Sequence, residues 1–230
     1  MKIAIMGAMP EEIAPLLEAV GEYSKTDYAG NSYYECRYGN CDLVIAYSKI
    51  GKVFSSLTAA TMIEKFGATQ LLFSGVAGAI SKELEIGDLI VATKLCQHDL
   101  DITAFGHPYG YVPEGAQFIQ SDKELIALSQ EVASDLGLKL KEGVIATGDQ
   151  FVANPERKNW IETTFSADAL EMEGASVACV CNALDVPFFI LRAISDAADM
   201  DASFDFDAFL ESSAQVSADF ILKMVDRLGR

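Results

Sequence analysis

The chain has 230 residues, half of them hydrophobic, and sets 17 Lys and Arg against 34 Asp and Glu, a formal charge of −17. That length suits one domain spanning 1–230 with a sizeable core, and the acidic balance excludes a nucleic-acid partner, whose phosphates would be repelled. No apolar run reaches the roughly 18 residues of a membrane span, and Met1-Lys2 leads straight into Ile3-Ala4-Ile5-Met6 without a signal-peptide pattern, so a cytoplasmic location is expected.

The elements alternate apolar strand-like runs with amphipathic helical ones. Lys2–Gly7 reads as a fully buried first strand, and Pro10 behind it suits the first turn of a helix. Ser32–Arg37 and Asp42–Ser48 form a hairpin around Gly39-Asn40. A helix over Lys52–Phe66 precedes strands at Gln70–Ser74 and Asp88–Thr93. Asp122–Leu136 is helical, Gly143–Thr147 a strand, and Asn154–Glu162 a short helix opened by Pro155. A strand ends at Ala169–Leu170, Gly174–Leu184 is helical, Pro187–Ile194 is a buried strand, and Phe206–Leu228 is a closing helix. This alternation predicts an α/β fold with helices covering a largely parallel sheet.

Five cysteines, Cys36, Cys41, Cys96, Cys179 and Cys181, lack disulfide-like regularity and read as reduced thiols. Cys179 and Cys181 point to different faces of a helix. With His98 and His107 placed in a polar loop region, neither a structural metal site nor a serine triad is expected. No Gly-x-Gly-x-x-Gly fingerprint or phosphate loop is present, so no cofactor is expected and a nicotinamide-dependent dehydrogenase is disfavoured.

In sheets of this kind ligands bind beyond the carboxyl ends of the strands. Glu12, Ser74, Asp149, Glu171, Glu173, Ser195 and Asp196 all fall at or just past such predicted ends. Arg192 sits inside an apolar strand and needs an acidic partner or an anionic ligand. A structural Arg–Asp pair and a functional arginine weigh evenly there. Glu171 and Glu173, two apart, diverge, so that one can reach a ligand while the other serves structure. Acidic residues favoured at a helix start are the plainer alternative. Ser74-Gly75-Val76-Ala77-Gly78 is fit to pack closely on a ligand, and equally fit to be a tight turn. The residues by themselves stop at an α/β domain with several carboxylates converging on one sheet edge.

Taken together, Gly7-Ala8-Met9 with Glu12, Ser48-Lys49-Ile50-Gly51-Lys52-Val53, Ser74-Gly75-Val76-Ala77-Gly78, Thr103-Ala104-Phe105-Gly106, Thr147-Gly148-Asp149-Gln150-Phe151, Glu171-Met172-Glu173-Gly174-Ala175 and Arg192-Ala193-Ile194-Ser195-Asp196 resemble one family in order and spacing over nearly the whole chain. It is the methylthioadenosine/adenosylhomocysteine nucleosidases, within the purine nucleoside phosphorylase-like fold. The resemblance implies a three-layer α/β/α sandwich around a central twisted mixed sheet, a homodimer, and an N-ribosyl hydrolase that releases adenine from 5′-methylthioadenosine and S-adenosylhomocysteine in methionine salvage. Ser48–Phe54 and Gly143–Phe151 look closest to members that also cleave 6-amino-6-deoxyfutalosine in menaquinone biosynthesis. An open 5′ pocket would also accept 5′-deoxyadenosine.

The resemblance assigns roles as well. Asp196, oriented by Ser195, would be the general acid toward N7 of adenine, which requires a carboxyl still protonated near neutral pH. Glu12 would activate the attacking water, its ionised form favoured by the helix dipole. Glu173 would hold the ribose hydroxyls with Met172 beneath the sugar, and Glu171 belongs to the same segment. Arg192 would help place the water and the acidic groups. Phe151 would stack on adenine, the Val152 backbone would read its polar edge, and Met9, Ile50, Val76, Ala77, Gly78 and Phe206 would line the site. Ile102, Phe105, His107 and Pro113 would reach the partner subunit's 5′-thio pocket. Related phosphorylases bind phosphate through an arginine and a serine where this chain has Phe73 and Val76, so water is the expected nucleophile. Some nucleosidases carry a serine matching Val76, and without it the water would rest on Glu12 and Arg192. A phosphorylase and a non-catalytic nucleoside-binding protein on the same fold are the alternatives; retention of Glu12, Glu173 and Asp196 together argues against the second.

Overall fold

A computed structural model describes the backbone of residues 1–198 and 202–230 and the side chains of 1–198 and 209–230. The strands are β1 (Lys2–Gly7), β2 (Ser24–Tyr28), β3 (Asn31–Tyr38), β4 (Cys41–Tyr47), β5 (Gln70–Ala79), β6 (Leu89–Gln97), β7 (Ile119–Gln120), β8 (Leu140–Thr147), β9 (Ala169–Glu171) and β10 (Phe188–Asp196). The helices are α1 (Pro10–Val20), α2 (Lys52–Glu64), α3 (Lys123–Leu136), α4 (Pro155–Phe165), α5 (Gly174–Ala183) and α6 (Ala202–Leu228), with a 3₁₀ turn at Thr103–Phe105. None of the described helices is long and apolar enough to cross a membrane.

The strands form one mixed sheet in the order β10-β6-β8-β9-β5-β1-β4-β3-β2. β10 also pairs with β5, so β10, β6, β8, β9 and β5 close into a ring at one end of the sheet. Side chains alternate across each strand, which parts the two main core clusters between the faces, beside a third, smaller one around Ile161 and Phe165 of α4. Ala4 and Met6 join Val44, Leu71 and Phe73 beneath Met62 of α2 and Val177 of α5. Ile3 and Ile5 join Leu43, Leu72 and Phe189 against Leu16 of α1, Val132 of α3 and Phe220 of α6. Each of these side chains larger than alanine contributes roughly 1.5–3 kcal/mol by leaving water. Helix layers thus cover both faces, giving the expected three-layer mixed-sheet sandwich.

Two boundaries differ from the sequence reading in ways that matter. β5 runs on past Ser74 to Ala79, placing Ser74 in mid-strand and fully buried rather than at a strand's tip. The run Ser74–Ala79 is small and uncharged, so it fits against both β10 and β9 where the ring closes. β10 reaches Asp196, and its register against β5 shifts between Ile194 and Asp196, a bulge that sets Asp196 opposite Gly78.

Candidate active site

Glu12 occupies the third position of α1, behind Pro10 at the helix start. Its Oε2 accepts the N–H groups of Ala8 at 2.5 Å and Met9 at 3.0 Å, so it closes its own helix N-terminus. Its Oε1 accepts the Val76 N–H at 3.2 Å, which ties α1 to β5. The carboxylate comes so near β5 that a Cβ on Gly75 would lie 2.8 Å from Oε1, so any larger residue there would push the carboxylate aside. Burial pushes the Glu12 carboxyl above the usual range, against the pull of Arg192 and the three N–H donors. The helix-dipole expectation of an easily ionised Glu12 is therefore corrected: loss of water outweighs the favourable dipoles.

The next glycine of the same segment serves a second carboxylate. A Cβ on Gly78 would lie 2.8 Å from Oδ1 of Asp196. That oxygen accepts the Ala198 N–H at 2.8 Å, while Ser195 Oγ donates to Oδ2 at 2.9 Å. Both residues are buried at the end of β10.

β9 and the start of α5 hold the remaining pair. Glu171 is saturated by the protein: Thr147 Oγ1 donates to Oε1 at 2.5 Å, and Oε2 accepts Arg192 Nη2 at 2.7 Å, Gly174 N–H at 2.7 Å and Glu173 N–H at 3.0 Å. Arg192 lies over the Phe73 ring, 4.1 Å from its centroid, and its Nη1 donates to the Leu191 carbonyl at 3.0 Å. The arginine's partner is thus Glu171 rather than an aspartate. Glu173 has the opposite situation, since among the described residues its carboxylate has one hydrogen-bond donor, the Gly51 N–H at 2.8 Å. Burial and the neighbouring Glu171 push Glu173 up to about 8, against that N–H and Arg192.

These groups border one cavity of about 580 Å³, counting its open mouth. Glu12, Glu171, Glu173 and Asp196 line it with Ser195, while Met9, Ile50, Val76, Ala77, Gly78, Phe151, Val152 and Met172 supply apolar wall. Among the described residues no lysine, arginine or histidine lines it. Such a site, apolar with a few converging polar groups, fits a small organic ligand and offers nothing to neutralise a phosphate.

Residues 2–226 match the family model described as the phosphorylase superfamily. The chain belongs to that superfamily. Within the superfamily it groups with nucleosidases. It is 60% identical to an aminodeoxyfutalosine nucleosidase of Campylobacter jejuni over 228 residues, covering 99% of this chain and 100% of that protein. The native structure of futalosine hydrolase of Helicobacter pylori superposes with a TM-score of 0.97 at 53% identity, covering 99% and 98% of the two chains. A Helicobacter pylori methylthioadenosine nucleosidase with aspartate mutated to asparagine, solved with 5′-methylthioadenosine in its active site, superposes with a TM-score of 0.97 at 51% identity over 98% of each chain.

Superfamily membership makes the departures from the sequence reading informative. Arg192 does not line the cavity but stands behind its wall, where it holds an acidic group, the carboxylate of Glu171. Asp149 also lies outside the lining, its Oδ1 accepting the Lys52 N–H at 2.8 Å. His98 stands in the turn after β6, as expected, but is buried against Gly148, with Nδ1 3.2 Å from Arg157 Nη2. Burial and the Arg157 charge hold its pKa down to about 4. Ala8, Gln150 and Leu170 also line the cavity; the first two lie inside motifs already singled out and Leu170 directly precedes one, but small or neutral side chains carry no chemical signal of their own. Ile102, Phe105, His107 and Pro113 do not reach this chain's cavity, and Phe105 is 81% exposed. The side chain of Phe206 lies outside the described residues.

Proposed function

We propose that this protein hydrolyses the N-glycosidic bond of adenine nucleosides modified at the 5′ position, with 6-amino-6-deoxyfutalosine, 5′-methylthioadenosine and S-adenosylhomocysteine as substrates. The observation that carries the reading is the convergence of Glu12, Glu173 and Asp196 on one cavity that, among the described residues, no cationic side chain lines. The identity to nucleosidases over the whole chain supports the substrate class.

In this reading Asp196 gives its proton to N7 of adenine as the C1′–N9 bond breaks, so adenine leaves neutral. Ser195, donating to Oδ2, keeps the other oxygen's geometry fixed. Positive charge develops on the ribosyl ring, and Glu173 stabilises it most in the transition state, where the interaction raises the chemical rate. Water attacks C1′ from the opposite face and yields its proton to Glu12, whose raised pKa suits it to hold that proton. Phe151 and Val152 bracket the purine, and Met9, Ile50 and Met172 border the sugar and its substituent. A phosphorylase would need a positive group for the incoming dianion. Phe73 is buried in the core and Val76 lines the cavity as an apolar wall.

Homodimerisation in the cytoplasm belongs to the same proposal. Val53 on α2 is 75% exposed, with Phe54, Leu57 and Ile50 exposed beside it, and Phe105 stands out from the 3₁₀ turn. An apolar surface of this kind at the mouth of the site fits a partner chain.

The test is adenine release from each of the three nucleosides in phosphate-free buffer, with sedimentation of the same sample. Phosphate-independent release is expected from a dimer. A strict phosphate requirement, or no adenine from any of them, refutes the proposal.

A further inference from the structure

Three residues from three elements close a hydrogen-bonded ring beside the cavity. Lys52, first residue of α2, donates its N–H to Asp149 Oδ1 at 2.8 Å. Asp149, just past β8, donates its own N–H to Asp99 Oδ2 at 2.8 Å. Asp99, just past β6, accepts Lys52 Nζ on Oδ1 at 2.7 Å, and Gln97 Oε1 takes a second bond from Nζ at 3.2 Å.

The ring answers a need created by Gly51. That residue is the N-cap of α2, with φ of 99°, and has no side chain to satisfy the helix's first N–H. Asp149 supplies the missing acceptor from nearly a hundred residues away. It sits so close that a Cβ on Gly51 would lie 3.0 Å from its Oδ1. With the helix end held this way, the Gly51 N–H is aimed at Glu173 Oε1. The ring also links two walls of the cavity, because Ile50 precedes it on one side and Gln150 and Phe151 follow it on the other.

We propose that the Lys52–Asp99–Asp149 ring is a positioning device for Glu173, fixing the Gly51 N–H on its carboxylate and so setting that carboxylate against the ribose side of the cavity. The inference rests on the nucleosidase reading above. The charged groups that face Glu173 are Glu171 from β9, Arg192 from β10 and Glu12 from α1, and from α2 the Gly51 N–H. Glu171 and Glu12 disfavour its ionised form, while Arg192 and the N–H favour it. Slackening the ring removes the N–H and leaves the carboxylate harder to ionise.

The test is the pH dependence of kcat/KM for adenine release from 5′-methylthioadenosine, with melting temperature recorded for every variant. In Lys52→Met and Asp149→Ala the acid limb is expected to move toward alkaline pH by about one unit, the worth of one hydrogen bond to a charged group. Activity at neutral pH then drops about tenfold and recovers above the limb. Asp149→Asn keeps an oxygen for the Lys52 N–H and is expected to keep the wild-type limb. Should either of the first two variants fail to fold, Asp99→Asn takes its place, since an amide cannot accept from both the ammonium and the Asp149 N–H. Variants that lose melting temperature but keep the limb, or whose rate falls evenly at every pH, overturn the proposal and reduce the ring to a helix cap. A wild-type protein without adenine release removes the functional reading and this inference with it; an active wild type with unmoved limbs removes the inference alone.

Discussion

Arg192 Nη2 stands 2.7 Å from Glu171 Oε2, with 1% and 2% of the two side chains exposed. Attraction in such a place does little more than offset the cost of taking two charges out of water. The hydrogen bonds from Thr147, Glu173 and Gly174 to the same carboxylate are what make the arrangement hold.

Removing one partner exposes that cost. Arg192→Met leaves Glu171 charged and buried, and is expected to destabilise the fold by about 3–5 kcal/mol in urea titrations. The double variant Arg192→Met with Glu171→Gln should regain part of that loss. A single variant within 1 kcal/mol of wild type would show the pair to be unimportant for the fold.

Asp196→Asn keeps the shape of the side chain and an oxygen for the Ala198 N–H, with Ser195 Oγ turned to accept from the new amide, while removing the transferable proton. Adenine release should fall by about 10²–10⁴-fold, with affinity for a non-hydrolysable nucleoside analogue retained within a few-fold. Ser195→Ala, which loses one contact to Oδ2, should cost roughly tenfold. Near-wild-type turnover by the asparagine variant would remove Asp196 from the acid role.

Glycine at 78 gives a way to move the acid without touching it. Gly78→Ala would place a methyl 2.8 Å from Asp196 Oδ1 and 3.0 Å from the Ala198 Cβ. The end of a side chain yields more readily than backbone, so the fold should lose about 1–2 kcal/mol while activity falls tenfold or more. Equal activity in the two proteins would mean that Asp196 tolerates displacement.

The pKa of Glu173, raised to about 8, has a consequence for stability with a definite sign. Between the ordinary glutamate value and 8 the folded protein holds a proton that the unfolded chain has released. Its contribution is thus complete at low pH and is lost as pH rises through 8. Glu173→Gln should be less sensitive than wild type when melting temperature is followed from pH 5 to 9. Parallel curves for the two proteins would contradict the shift.

His98 works in the reverse direction. Held neutral down to about 4, it must gain a proton for the chain to unfold at pH values below the ordinary histidine range. Its stabilisation is present above about 6.5 and lost between there and 4. His98→Gln is expected to flatten the fall in melting temperature over that interval, and an unchanged slope would assign the acid sensitivity elsewhere.

Strands buried on both faces, such as Lys2–Gly7 and Phe188–Asp196, were legible because unbroken apolar runs leave few other structures open to them. Ser24–Tyr28 was not, because a polar strand at the sheet's margin has no periodic apolar signal, and β7, two residues long, has no period at all. In the site, the carboxylates could be sorted by their place after strand ends. What could not be read was which of them the protein itself saturates. Glu171 and Glu173 differ by whether Arg192 and Thr147, or a single Gly51 N–H, stand opposite, and such pairings are set by tertiary packing. Burial of His98 was equally hidden, since it depends on Gly148 leaving room for the ring fifty residues away.

The closure of five strands into a ring leaves β2, at the far end of the strand order, paired on one side only. Unpaired strand margins invite neighbouring molecules to add on, and proteins blunt them with brevity and charge. β2 has five residues and carries Lys25 and Asp27, ion-paired at 3.3 Å. Together with the heavy surplus of negative charge, this gives the protein a built-in resistance to end-to-end stacking at the concentrations of a crowded cell.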